Sequence, residues 1–156
     1  MLVSVVLALA RGMPHLAPRN AEAAACHAPA PPLPGEESAQ FIGPDQARGL
    51  VGAPGVAFVD CRPLQEYEAG HVTGAIHASL PDTEVARSLM GSLAGASTVI
   101  TYCDAQADCA RSLKMARLLT AAGFTDVRVL EGGMPSWLQK GYPAESGTCT
   151  QCEANR

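Results

Sequence analysis

The sequence lacks an excess of positive charge. Lys and Arg number 11 against 15 Asp and Glu, a net charge of −4 with neutral histidines. Neutralising nucleic-acid phosphates needs a basic surface, so composition speaks against a nucleic-acid partner. The chain also lacks a long apolar stretch at its start. The run Met1–Ala10 is ten residues, about half of the roughly 20 that span a bilayer as a helix. Internal repeats are missing. Cys149-x-x-Cys152 is accompanied by neither a second C-x-x-C nor a His pair at zinc spacing, so no structural metal is expected. The six cysteines, at positions 26, 61, 103, 109, 149 and 152, are too few and too unevenly spread for a small disulfide scaffold.

What is present is a globular composition. Of 156 residues, 47% are apolar and 17% charged, enough for one domain with a sizeable core and tails. Three readings of Met1–Ala10 stand. It is the h-region of a signal peptide, with Ala8-Leu9-Ala10 as a small-residue cleavage pattern but no preceding Lys or Arg. It is a single-span anchor that begins before this sequence. Or it is a disordered apolar tail. Residues from Arg11 to Gln40 are rich in Ala and Pro and read as an extended linker. An apolar segment followed by such a linker suits a domain held off a membrane. Export, facing the periplasm or the outside, is therefore the expectation, with a cytoplasmic chain as the alternative. The expected organisation is an N-terminal segment and linker over 1–40, a folded domain over 41–145 and a polar tail with C-x-x-C over 146–156.

Within the domain, strands alternate with helices. Phe41-Ile42 reads as a short strand, and Gly43-Pro44-Asp45 opens a small helix from Gln46 to Leu50. Val56–Asp60 is a continuous apolar run ending in an acid, as in a buried parallel strand. Pro63 starts a short helix through Tyr67, which Gly70-His71 breaks. Ala75–Ala78 is a short strand, and Pro81–Leu93 has helical spacing. Val99–Tyr102 is a β-branched strand. Leu113, Ala116, Leu119 and Ala122 then mark a long helix, with Met115 and Leu118 widening its stripe and Gly123 at its C′ position. Val127–Leu130 is a further strand, Gly132-Gly133 a turn, and Pro135–Lys140 a last helix whose Trp137 fills the core. This alternation predicts an α/β fold with a parallel sheet and helices on both faces. Ligands of such sheets bind beyond the carboxyl ends of the strands.

Cys103 stands at such an end, between a strand and a helix. The N–H groups and positive dipole of a helix start favour a thiolate, as a cysteine nucleophile requires.

The residues Asp60-Cys61-Arg62, Glu66-Tyr67, Gly70-His71-Val72 and Gly74-Ala75 resemble the D-x-R…E-[YF]-x-x-G-H-[IV]-x-G-A signature of rhodanese domains. Tyr102-Cys103, Arg111-Ser112, Gly123-Phe124, Val127, Leu130-Glu131-Gly132-Gly133 and Trp137 are similar to the second half of that family, in order. The resemblance covers about residues 41 to 145. It implies a rhodanese-like fold of about five parallel strands and a thiosulfate sulfurtransferase-like activity that needs no cofactor. Cys103 would be the catalytic residue. It would take sulfane sulfur from a small donor such as thiosulfate, hold it as a persulfide, and pass it to cyanide or to a thiol of a small molecule or protein. The loop Asp104, Ala105, Gln106, Ala107, Asp108, Cys109, with Arg111, would cradle the substrate. Asp60, Arg62, Glu66 and His71 would frame the site rather than react.

The loop departs from the common active pattern. Seven residues separate Cys103 from Arg111; none is Gly, and two are the acids Asp104 and Asp108. Carboxylates there repel an anionic donor and disfavour a thiolate. Arg62, Arg111 and Lys114 are the cations available to offset them. The sixth residue after Cys103 is Cys109, not the Arg of the Cys-x5-Arg loop that a related phosphatase needs. Cys109 is either a resolving thiol for Cys103 or a small residue at the first helical turn. The alternative function is therefore a rhodanese-like binding or redox-sensing module that uses Cys103 and Cys109 without turnover. Cys61, just past a buried strand, reads as an inert small hydrophobe. Cys149-x-x-Cys152 reads as a local disulfide in an oxidising compartment and as free thiols in a cytosol.

Overall fold

The computed structural model describes residues 39–79, 89–104 and 110–148. The N-terminal segment and most of its linker, most of the helix expected from Pro81, loop residues Ala105 to Cys109, and Cys149-x-x-Cys152 lie outside the described residues.

Five parallel strands form the central sheet: β1 (Gln40–Ile42), β2 (Val56–Asp60), β4 (Ile76–His77), β5 (Thr98–Tyr102) and β6 (Val127–Leu130). Their order is β1-β6-β5-β2-β4, and all four pairings are parallel. The most apolar, β-branched runs take the middle. Val99 and Ile100 of β5 and Val59 of β2 are fully buried, as a strand covered on both faces requires. The helices α1 (Pro44–Arg48), α2 (Leu64–Ala69), α3 (Ala110–Ala121) and α4 (Gly133–Gln139) fill the connections. The chain steps from β1 to β2 to β4 in one direction across the sheet, then from β4 to β5 to β6 in the other. Right-handed crossovers therefore place α1 and α2 on one face and α3 on the opposite face. No helix among the described residues is long and apolar enough to cross a membrane.

The helix bounds differ from the sequence reading by up to two residues. Pro44 opens α1 at its first position, because its fixed φ and missing N–H suit a helix start. Extension of α2 to Ala69 has a clear consequence. Gly70 leaves it in extended backbone, and His71–Val72 becomes strand β3, paired antiparallel with β7 (Ala144–Glu145). Neither two-residue strand has a periodicity to read.

The buried stripe of α3 also differs from expectation. It runs through Ser112, Met115, Ala116 and Leu119, while Leu118 is 41% exposed and Ala122 faces outward. A helix advances about 100° per residue, so a spacing of three slips about 60° at each step. By Ala122 the series that starts at Leu113 has rotated to the far side. The buried set keeps to i, i+3, i+4 and i+7 and begins with a serine.

Trp137 of α4 is fully buried between Phe58 and Tyr142, and its indole N–H donates to the Pro143 carbonyl at 2.9 Å. Entry into α4 depends on Gly132, which is left-handed at φ 67°. A Cβ there would lie 2.6 Å from Ser136 Cβ. Gly52 has a similar φ of 73° but open space around it. Both Gly→Ala changes carry the left-handed cost of about 1–2 kcal/mol, and only Gly132→Ala adds the overlap. Denaturant unfolding is expected to show Gly132→Ala destabilised by more than Gly52→Ala; equal losses would show that the Ser136 contact relaxes freely.

Candidate active site

Cys103 follows β5 directly and is 2% exposed. Two contacts fix it. Its carbonyl accepts the Met134 N–H at 2.9 Å, so the start of α4 holds its backbone. Its Sγ accepts the Ser112 hydroxyl at 3.3 Å, so the first turn of α3 reaches its sulfur. Ser112 itself is held where its carbonyl accepts the Thr101 hydroxyl at 3.1 Å. The helical stripe that places Met115, Ala116 and Leu119 in the core places Ser112 against Cys103. That i, i+3, i+4, i+7 spacing is the signal by which the sequence marks Ser112 as inward-facing.

Asp104 comes next. Its carboxylate lies 3.4 Å from the Arg111 guanidinium, with both side chains partly exposed. One of the two acids in the loop is thus matched by the arginine that follows it. Asp108, Cys109 and the rest of Ala105 to Cys109 lie outside the described residues.

Beneath the strand ends is a buried ion pair. Asp60 is fully buried, and Arg62 closes on it with its backbone N–H at 2.9 Å, Nε at 3.0 Å and Nη2 at 2.6 Å. The same Nη2 donates to the Gly70 carbonyl at 2.6 Å. Tyr102 stacks its ring near this guanidinium, 5.9 Å from its carbon, and its oxygen accepts the Val72 N–H at 3.1 Å. Burial first, and then the Asp60 charge, push the Tyr102 phenol well above its ordinary value, so it stays neutral. Glu66 lies 3.9 Å from Arg62 and is half-exposed, an i,i+4 contact of small worth.

His71 is 2% exposed and stacked on Tyr67, with ring centroids 3.7 Å apart. Its Nδ1–H donates to the Tyr67 carbonyl at 2.7 Å, and Nε2 faces Glu145 of β7 at 3.4 Å. Tyr67 in turn donates its hydroxyl to the Ala75 carbonyl at 2.7 Å. Burial, then the charges of Glu145 and Asp60, push this phenol up to about 12, so it remains a donor. His77 Nε2–H donates to the Arg62 carbonyl at 2.9 Å. Asp60, Arg62, His71 and His77 therefore bind strand ends to one another.

The family model of the rhodanese-like domain matches residues 43–140. The chain belongs to the rhodanese-like domain family. The thiosulfate sulfurtransferase GlpE of Pseudomonas putida is 35% identical over 105 residues, covering 67% of this chain and 89% of that protein. A helix-turn-helix transcriptional regulator of Mycobacterium tuberculosis is 37% identical over 92 residues, covering 59% of this chain; the chain spans only 38% of the regulator. Among solved structures, a thiosulfate sulfurtransferase of Pseudomonas aeruginosa superposes with a TM-score of 0.59 at 25% identity, over 77% of this chain and 22% of that one. The 3-mercaptopyruvate sulfurtransferase SseA of Escherichia coli shares the fold, with a TM-score of 0.57 at 20% identity over 71% of this chain and 53% of that one. A rhodanese-like domain thus recurs alone and inside longer chains.

The ion pair carries a stability prediction. Arg62→Met leaves the Asp60 carboxylate buried without its partner, which costs about 3–5 kcal/mol. The double change Asp60→Asn/Arg62→Met removes the stranded charge and is expected to cost less than Arg62→Met alone. Urea unfolding of the three chains checks the order; a double variant worse than the single one would show that the hydrogen bonds, not the charge, matter most.

Proposed function

We propose that this rhodanese-like domain is a sulfurtransferase that carries sulfane sulfur as a persulfide on Cys103. The observation that supports it is the position of Cys103 Sγ at the carboxyl end of the central strand β5, with the Ser112 hydroxyl donating to it at 3.3 Å. Similarity to the thiosulfate sulfurtransferase of P. putida points the same way.

In the proposed reaction the Cys103 thiolate attacks the outer sulfur of thiosulfate. The S–S bond of the donor breaks, and sulfite leaves with the electron pair. Cys103 then bears a terminal sulfur with negative charge. An acceptor, cyanide or a thiolate, attacks that outer sulfur. Thiocyanate or a new persulfide leaves, and the electron pair returns to Cys103 as a thiolate. Ser112 is suited to both halves, because its O–H donates to a sulfur that is first nucleophile and then leaving group.

Cys103→Ser is expected to abolish transfer from thiosulfate to cyanide. Ser112→Ala removes a hydrogen bond to a charged sulfur, worth about 1.5–3 kcal/mol, and is expected to lower kcat/KM by about 10- to 150-fold. Mass spectrometry of the donor-treated chain should find one added sulfur on Cys103. If Cys103 and Cys109 instead lose two hydrogens between them as a disulfide and no sulfur is added, the domain is a redox module without turnover.

The pairing of Asp104 with Arg111 bears on the donor. An anion approaching Cys103 meets a neutralised arginine. Asp104→Asn frees that cation, so KM for thiosulfate is expected to fall several-fold at low salt, with the gain shrinking as salt screens it. An unchanged KM at low salt would remove Asp104 from the path of the donor.

A further inference from the structure

Two of the cysteines are buried side by side. Cys61 and Cys103 are both free thiols, at 1% and 2% exposure. Each follows the last residue of a strand, and those strands are neighbours in parallel register with Asp60 opposite Tyr102. The ladder continues one step further, because the Cys61 N–H donates to the Tyr102 carbonyl at 2.9 Å. Adjacent strands run about 4.8 Å apart, within the roughly 4.4–6.8 Å between Cα atoms that a disulfide bridges.

The faces agree. Residues at matched positions of adjacent strands emerge on the same side of the sheet, and successive residues alternate. Asp60 and Tyr102 share the side on which Arg62 closes over them. The two cysteines that follow take the opposite side, where Ser112 of α3 touches Cys103 Sγ. Burial first, then the charges of Asp60 and Cys103, push the Cys61 thiol far up. Cys61 consequently rests as a thiol, donating weakly to the Val59 carbonyl at 3.8 Å. Such a pair stays reduced until one sulfur becomes electrophilic.

We propose that Cys61 is the resolving thiol of Cys103, closing a Cys61–Cys103 disulfide when a hydroperoxide oxidises Cys103. The Cys103 thiolate attacks the terminal peroxide oxygen, the O–O bond breaks to leave a sulfenic acid on Cys103, and the departing oxyanion is protonated to water, or to an alcohol from an alkyl hydroperoxide. The Cys61 sulfur then attacks Cys103 Sγ. The S–S bond forms, the S–O bond breaks, and the departing hydroxide takes the Cys61 proton to leave as water. The two thiols together lose two electrons, and the peroxide gains them. The disulfide stops oxidation of Cys103 at a reducible stage and occupies the sulfur that a persulfide would need. The chemistry requires no sulfur transfer, so it stands apart from the proposed activity.

The test is a cysteine map of the full chain. The reduced protein is treated with a few-fold molar excess of hydrogen peroxide without any sulfur donor, remaining thiols are alkylated, and peptides are separated without reductant. The expected product is a linked peptide joining Cys61 to Cys103 that dithiothreitol separates and that persists in Cys109→Ser. Cys61→Ala with native circular dichroism should instead carry Cys103 through to sulfinic acid. A Cys103–Cys109 link, a sulfinic Cys103 beside an alkylated Cys61, or a Cys103 that stays reduced in the wild-type chain each overturns the proposal. Because no donor is present, an inactive transferase still tests it, and an active one can fail it.

Discussion

The Asp60–Arg62 pair is the constraint on which the domain depends. A carboxylate with no solvent exposure is tolerable only if a cation and further donors satisfy it. Arg62 does so through its side chain and its own backbone N–H at once, which a partner two residues away can do only if the chain turns sharply after β2. That turn ends the strand. The guanidinium then reaches the Gly70 carbonyl at the end of α2, and the Arg62 carbonyl receives His77 from β4. One ion pair thereby fixes the carboxyl ends of two neighbouring strands and the exit of a helix.

Tyr102 extends the same network to β5. Its hydroxyl sits among Val72, Asp60 and Arg62, so the residue before Cys103 is held by packing, by charge and by a hydrogen bond. The residue after it in space is Met134, whose N–H holds the Cys103 carbonyl. Gly132 makes that contact reachable by turning left-handed at the start of α4. Groups far apart in sequence thus determine the position of one sulfur. Such a supporting network locks the side chain in place before any ligand arrives.

Much of this was legible in the sequence because it rests on local chemistry. Val56–Asp60 and Val99–Tyr102 are apolar runs bounded by turn residues, and they become the central strands. Cys103 directly follows one of them, as its place after an apolar run predicts. Other features depend on pairing between distant segments. Strands β3 and β7 have two residues each, too short for periodicity, and exist because His71–Val72 meets Ala144–Glu145. Ser112 is marked as inward-facing only by the i, i+3, i+4, i+7 set that it opens, and a spacing of three misses that face. Cys61 reads as a small buried residue because its neighbour, Cys103, is set by sheet order rather than by sequence distance. Cys109 is near Cys103 in sequence and lies outside the described residues.

The two strand-end cysteines differ in the direction of their hydrogen bonds, and that difference assigns them separate roles. Cys103 Sγ accepts a hydroxyl from Ser112. Cys61 Sγ donates to the Val59 carbonyl and lies next to the Asp60 charge, an arrangement that favours the proton on the sulfur. The same carboxylate that anchors Arg62 therefore helps hold the proton on Cys61. Alternation along the strands makes the division work: the ion pair and Tyr102 occupy one face, and the two sulfurs the other. Losing Asp60 would disturb both, because it removes the anchor of the strand ends and the charge that separates the two thiols.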